Sequence, residues 1–114
     1  MFVHEDGRRI LVEWATGNFK ECKVAVMKSP GILGDHWHAD KDEVFLLLSG
    51  RASQVVIGNK LSLNMVGPCV FEVPRGTYHR FVLEAGSVLL GAATELYDKA
   101  DERTDNPPVL EEVK

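Results

Sequence analysis

From Arg8 to Ala93 the chain is a succession of short apolar segments, broken every ~8–12 residues by Gly- or Pro-centred turn signals. The segments fall at Arg8–Trp14, Glu21–Lys28, Gly31–His38, Glu43–Leu48, Arg51–Ile57, Leu61–Met65, Cys69–Val73, His79–Leu83 and Ser87–Ala93. Cys22, Val24 and Val26 alternate with Lys23, Ala25 and Met27, the two-residue period of a strand. Gly58-Asn59, set between Val55-Val56-Ile57 and the alternating Leu61, Leu63 and Met65, is a hairpin turn. Ser29-Pro30-Gly31, Val66-Gly67-Pro68, Pro74-Arg75-Gly76-Thr77 and Ala85-Gly86 punctuate the rest. This rhythm predicts an all-β chain of about eight or nine short strands in an antiparallel sandwich or barrel, with helix limited to a turn or two.

A chain of 114 residues has the size of one domain and enough core to fold without a disulfide or metal. We expect a domain over residues 1–105, its core at 8–93, and an acidic C-terminal tail at 106–114. Cys22 and Cys69 are too few for a disulfide scaffold and wrongly spaced for a zinc motif. No apolar run approaches the ~20 residues of a membrane helix, and Met1 to Asp6 lacks a signal-peptide pattern. The expected setting is cytoplasmic, with no membrane partner. The net charge of −4 resides entirely in residues 94–114, which hold seven acids and three bases. A body with balanced charge and an acidic tail excludes phosphate-backbone binding as a main role, so no nucleic-acid partner is expected.

Chemistry concentrates in four residues. His36 and His38 stand at i and i+2, on one face of a strand, with Trp37 on the other. Glu43 opens the next strand, and His79 begins a later one after Pro74-Arg75-Gly76. Three imidazoles and a carboxylate suffice to hold a divalent transition metal with one or two positions open. His4 lies in an N-terminus read as mobile and is left out of the site. Glu72, Tyr78, Arg80, Arg51 and Gln54 are read as solvated strand residues, and Cys69 as a small core residue. The barrel interior is assigned to Val24 or Ala25, Phe45, Leu47, Val55, Leu63, Phe71, Phe81 and Leu83. Gly50 and Gly67 are read as left-handed turn residues and Pro74 as a stiffener of the approach to His79.

The pattern Gly31-x4-His36-x-His38-x4-Glu43-x6-Gly50, followed by Gly67-x6-Pro74-x-Gly76-x2-His79, resembles the two signature motifs of the cupin superfamily. It departs from them by one residue before His36 and one before Pro74, and Leu83 stands where the family has Asn. The resemblance implies a small double-stranded β-helix barrel, jelly-roll-like, in which His36, His38, Glu43 and His79 bind one divalent ion. Iron, manganese, nickel, zinc and copper all suit such a donor set. It also implies a homodimer, and Trp37 is the candidate for the subunit surface.

Three functions follow as expectations. The first is a metal-dependent enzyme acting on a small oxygenated molecule, with the ion as Lewis acid or oxygen-activating centre, as in cupin dioxygenases, decarboxylases and isomerases. The alternative is a sugar-nucleotide ketoisomerase or epimerase in which His36 and His38 are acid/base groups and no metal takes part. Gly91–Asp101, with Thr94-Glu95-Leu96-Tyr97-Asp98, is similar to the end of cupin-type deoxysugar ketoisomerases. The third is a non-catalytic module that binds a small ligand.

Overall fold

The computed structural model describes residues 2–108, and these form ten strands and one 3-10 turn. A hairpin of β1 (Phe2–Glu5) and β2 (Ile10–Glu13) stands apart as a two-stranded sheet. The body consists of two antiparallel four-stranded sheets. One, in the order β3-β10-β5-β8, is built from β3 (Glu21–Val26), β10 (Val88–Ala93), β5 (Glu43–Ser49) and β8 (Cys69–Val73). The other, β4-β9-β6-β7, is built from β4 (Gly31–His36), β9 (His79–Leu83), β6 (Arg51–Ile57) and β7 (Lys60–Val66). This is the all-β antiparallel architecture that the turn rhythm predicts, in the jelly-roll form that the resemblance implies. Among the described residues no helix is long and apolar enough to cross a membrane.

The core sits between the two sheets. Leu47, Ala52, Val55, Phe71, Phe81, Leu83 and Leu89 are buried together, with Met27, Leu33, Phe45, Ile57, Met65 and Cys69 packed against them. Alternation drives this arrangement: Phe71 and Val73 on β8, and Phe81 and Leu83 on β9, enter the core on every second residue. The turn between β5 and β6 closes on Gly50, whose φ is +87°. A Cβ there would lie 2.6 Å from Ser87 Cα, so only glycine fits.

Several expectations are corrected. The N-terminus is not free of structure, since Phe2↔Glu13 through Glu5↔Ile10 pair in register. Leu63 is 45% exposed while Met65 packs against the core, because Asn64 between them takes a left-handed φ of +54° that interrupts the alternation along edge strand β7. Val24 is exposed and Ala25 half-buried, which settles that pair of candidates on Ala25. Gly67 is needed for close approach rather than a left-handed turn: a Cβ would meet the Leu47 carbonyl oxygen at 2.6 Å. Tyr78 is buried, its hydroxyl held by the Asp35 carboxylate, and is not a solvated residue.

The segment after Thr94, inside the expected domain bounds of 1–105, packs back on the body. Lys99–Asp101 forms a 3-10 turn capped by Asp98, whose carboxylate accepts from Ala100 N–H. Beyond it Arg103 bridges Trp37: Trp37 N–H donates to Arg103 O at 2.8 Å and Arg103 N–H to Trp37 O at 3.0 Å. The Trp37 indole N–H donates to Asp105 O at 2.8 Å, and the Arg103 guanidinium lies 5.1 Å from its ring centre. Trp37 is therefore half-buried under its own chain. Val109, Leu110, Glu111 and Glu112 of the acidic tail lie outside the described residues.

Candidate active site

Strict alternation along β4 would turn His36 away from the side on which Leu33 sits. A β-bulge prevents this. The register runs Leu33↔Phe81, Gly34↔Arg80, then His36↔His79, with Asp35 as the extra residue. Asp35 takes a left-handed φ of +69° and Gly34 one of +83°. The bulge changes parity, so Leu33, His36 and His38 all face the interior. Gly34 also has no room for a side chain: a Cβ would stand 2.8 Å from the His79 carbonyl oxygen and 3.0 Å from its ring.

The four residues marked by spacing come together. Ligand atoms of His36, His38 and His79 lie within 4.8 Å of one another. Glu43 Oε1 is 3.4 Å from His38 Nε2 and 3.7 Å from His79 Nε2. Each imidazole is held from behind through Nδ1. His36 Nδ1 faces Glu102 Oε1 at 3.1 Å, His38 Nδ1 faces Asp101 O at 3.1 Å, and His79 Nδ1 faces Thr77 O at 3.5 Å. These oxygens can only accept, so the ring protons sit on Nδ1 and the Nε2 lone pairs turn to the centre.

Electrostatics agree with neutral rings. Burial, joined by the neighbouring His36 and His38, lowers the pKa of His79 to about 3. Burial also lowers His36, opposed by Glu102, and lowers His38, aided by Lys41. Glu43 moves the other way, raised by burial and only partly restrained by Lys41 and Lys23. Two lone-pair nitrogens and a carboxyl oxygen that face one another need a positive charge between them. A proton on Glu43 supplies it, and so would a bound cation.

Sequence reasoning missed the residues that fix these rings. Asp101 is buried, and its carboxylate accepts from Ala39 N–H at 2.9 Å and Asp40 N–H at 3.1 Å, which ties down the loop after His38. Burial opposes its ionisation, but these two donors, His38 and Arg103 outweigh that and leave it below the usual carboxylate range. Glu102 accepts from the Tyr97 hydroxyl at 3.0 Å, which lowers its pKa. The only sequence signal for this segment was its likeness to the ends of ketoisomerases. Nothing local marked Asp101 or Glu102 individually.

Above the cluster opens a cavity of about 350 Å³. Its walls are apolar where Ala25, Leu33, Phe45, Phe81 and Leu89 line it, and Lys23, Lys41 and Tyr97 add polar groups. The Phe45 ring stacks at 5.4 Å from His79 and 4.9 Å from Phe81, closing the site off beneath the histidines. Such a space admits a sugar-sized molecule with few water molecules beside it.

No protein-family model and no curated protein sequence matches the chain. Solved structures do. A 3,4-ketoisomerase from Helicobacter canadensis superposes with a TM-score of 0.73 at 18% identity, over 91% of this chain and 86% of that one. A histidine-to-asparagine mutant of the 3,4-ketoisomerase QdtA from Thermoanaerobacterium thermosaccharolyticum, in complex with TDP-4-keto-6-deoxyglucose, gives 0.70 at 20% identity over 91% and 83%. ChmJ, a 3'-monoepimerase from Streptomyces bikiniensis in complex with dTDP-quinovose, gives 0.77 at 17% identity over 93% and 67%. At these identities the likeness shows the fold, a cupin-type jelly roll.

Proposed function

We propose that this chain catalyses isomerisation or epimerisation beside the carbonyl of a keto-sugar, by proton transfer between its histidines and the substrate. The observation that carries this reading is the pinning of three neutral imidazoles by oxygen acceptors at Nδ1, with their Nε2 atoms gathered at the foot of an apolar-walled cavity. The similarity to sugar-nucleotide ketoisomerases and an epimerase supports it from outside the site. This is the alternative of the sequence analysis, preferred now to the metal-dependent enzyme.

The chemistry balances with protons alone. A carbon next to a carbonyl loses its proton to a neutral imidazole Nε2, and the electron pair moves to the carbonyl oxygen as an enediolate. When the hydroxyl proton on that carbon passes to the former carbonyl oxygen and the carbon proton returns to the former carbonyl carbon, the carbonyl moves by one position; a proton returned to the opposite face of the original carbon inverts it. Substrate and product have the same oxidation state, so no oxidant or reductant is consumed. His36 is the base best supported from behind, because Glu102 stabilises the imidazolium that forms. His38, whose ring centre is 4.5 Å from that of His36, is placed to take that proton from His36 and return it to the substrate.

A second reading keeps the same residues. His36, His38, His79 and Glu43 also fit one divalent ion: the donors are of the right type, and their ring protons point outward to oxygens as metal-bound histidines require. The Glu43 separations of 3.4 and 3.7 Å are close to the ~3–3.5 Å donor spacing around an ion with bonds of about 2.1 Å. When bound, such an ion would polarise a substrate carbonyl. Elemental analysis of the purified protein, together with turnover of TDP-4-keto-6-deoxyglucose followed by proton NMR, separates the readings. The proton-transfer reading expects a product isomer whose rate survives chelator and Glu43→Gln within about tenfold. Loss of all activity with chelator, restored by one equivalent of metal, would favour the second.

A further inference from the structure

The proton-transfer scheme leaves one charge in the cavity unused. Lys41 lies between His38 and Glu43, is only 5% exposed, and lines the cavity. Among the described residues the other charged groups of the cavity face partners: Lys23 meets Glu21 at 2.9 Å, Glu102 meets His36 at 3.1 Å, and Glu43 faces His38 and His79. Lys41 enters none of these pairs; the Tyr97 ring centre is 5.9 Å from its Nζ. Among the described residues no carboxylate lies at ion-pair distance from the Lys41 ammonium, so its charge is left to the cavity it lines. Its field reaches the reacting centre, since it is the leading charge acting on both His38 and Glu43 and also acts on His36 and His79.

We propose that Lys41 is an oxyanion-recognition site in the cavity wall, whose ammonium takes a negatively charged oxygen of the bound molecule and holds it beside His38. The identity of that molecule rests on the keto-sugar reading, but the recognition of an oxyanion does not. Two sources share the chemistry: the enediolate oxygen that develops as the carbon proton leaves, and a carboxylate or phosphate oxygen already on the substrate. Three N–H donors on one flexible stem suit either. A lysine that merely balances Glu43 would make no such contact.

Titration of the intact protein with inorganic phosphate at pH 7.5, followed by calorimetry, tests the site without any turnover. Wild type binds, Lys41→Met weakens binding by about tenfold or more, and Lys41→Arg stays within about threefold. Lys60→Met leaves binding unchanged, because Lys60 stands on the edge strand β7 and does not line the cavity. Lys41→Gln replaces the methionine variant if that one does not fold. No binding by wild type, or equal binding by wild type and Lys41→Met, overturns the proposal. Kinetics with TDP-4-keto-6-deoxyglucose then assign the source: an enediolate contact lowers kcat by about 100-fold with KM little changed, whereas a substrate-borne anion raises KM with kcat kept. A Lys41→Met enzyme with both constants intact overturns the proposal. A wild type that binds phosphate but does not turn over this substrate sinks the keto-sugar reading alone.

Discussion

His79 shows how far burial shapes the chemistry of single residues in this chain. Its side chain is closed off by Phe45, Phe81 and the two other histidines, and its pKa falls to about 3. Between that value and the ~6.5 of an unfolded histidine the unfolded chain binds more protons, so stability falls as pH drops through this window and is flat above it. For His79 alone the loss is at most about 4–5 kcal/mol. His36 and His38 act in the same direction, while Glu43, raised by burial, acts oppositely above its unfolded value. With three groups against one, we expect a melting temperature clearly lower at pH 4.5 than at pH 7.5; an unchanged value would contradict buried neutral imidazoles. Activity should hold from pH 8 to below 6.5 before falling. Glu102→Gln should lower kcat by about 100-fold with KM within about twofold, because the amide keeps an acceptor for His36 but loses the charge that steadies its protonated form. The four central residues were legible in the sequence because their spacing is local and their types are rare. Lys41 carries no local signal, and Asp101 and Glu102 meet His38 and His36 across more than sixty residues of chain.

Two elements turn this set of residues into a site; one has no motif, and the other shows in the sequence only as a likeness to the ends of ketoisomerases. One is the bulge at Gly34-Asp35, which restores the inward face after Leu33. The pairing of histidines on one strand face was correctly read from the two-residue period, but the side they face depends on a residue whose extra length has no periodic signature. Gly34→Ala tests it: the left-handed φ costs about 1–2 kcal/mol and the added methyl must displace His79. We expect lower stability in urea and a loss of activity exceeding that of an equally destabilising core variant such as Leu47→Val. Equal losses would show that the bulge only stabilises. The other element is the segment from Thr94 to Asp105, whose acidic composition and later Pro107-Pro108 resembled a frayed end. Its order comes from long-range bonds to Trp37, Ala39 and Asp40, which composition cannot reveal. Deleting residues from 99 onward should leave the β-sheet circular dichroism in place and remove activity; retained activity would show that Asp101 and Glu102 are dispensable.

At the scale of the whole molecule, the strand count and the two-sheet core follow from the turn rhythm, since each apolar segment had one face to bury. What the rhythm leaves open is what covers the outside. Val24 and Val26 on the edge strand β3, Ile32 on the edge strand β4, and Val3, Ile10 and Leu11 on the hairpin are all exposed. Unpaired strand edges bearing apolar side chains favour association. We expect a homodimer at micromolar concentrations by sedimentation equilibrium, and Val24→Lys with Val26→Lys to shift it toward monomer; a wild-type monomer throughout would contradict this. The cavity, the pinned imidazoles and the carboxylates behind them converge on one event, the removal of a proton from a carbon beside a carbonyl. The measurement that reaches this event is solvent exchange: TDP-4-keto-6-deoxyglucose is incubated with the protein in deuterium oxide and the carbon-bound protons next to the carbonyl are followed by NMR. Wild type should replace such a proton with deuterium far faster than the background, and His36→Asn should be slower by about 100-fold or more. Exchange no faster than background with wild-type protein, or equally fast with His36→Asn, would contradict the account.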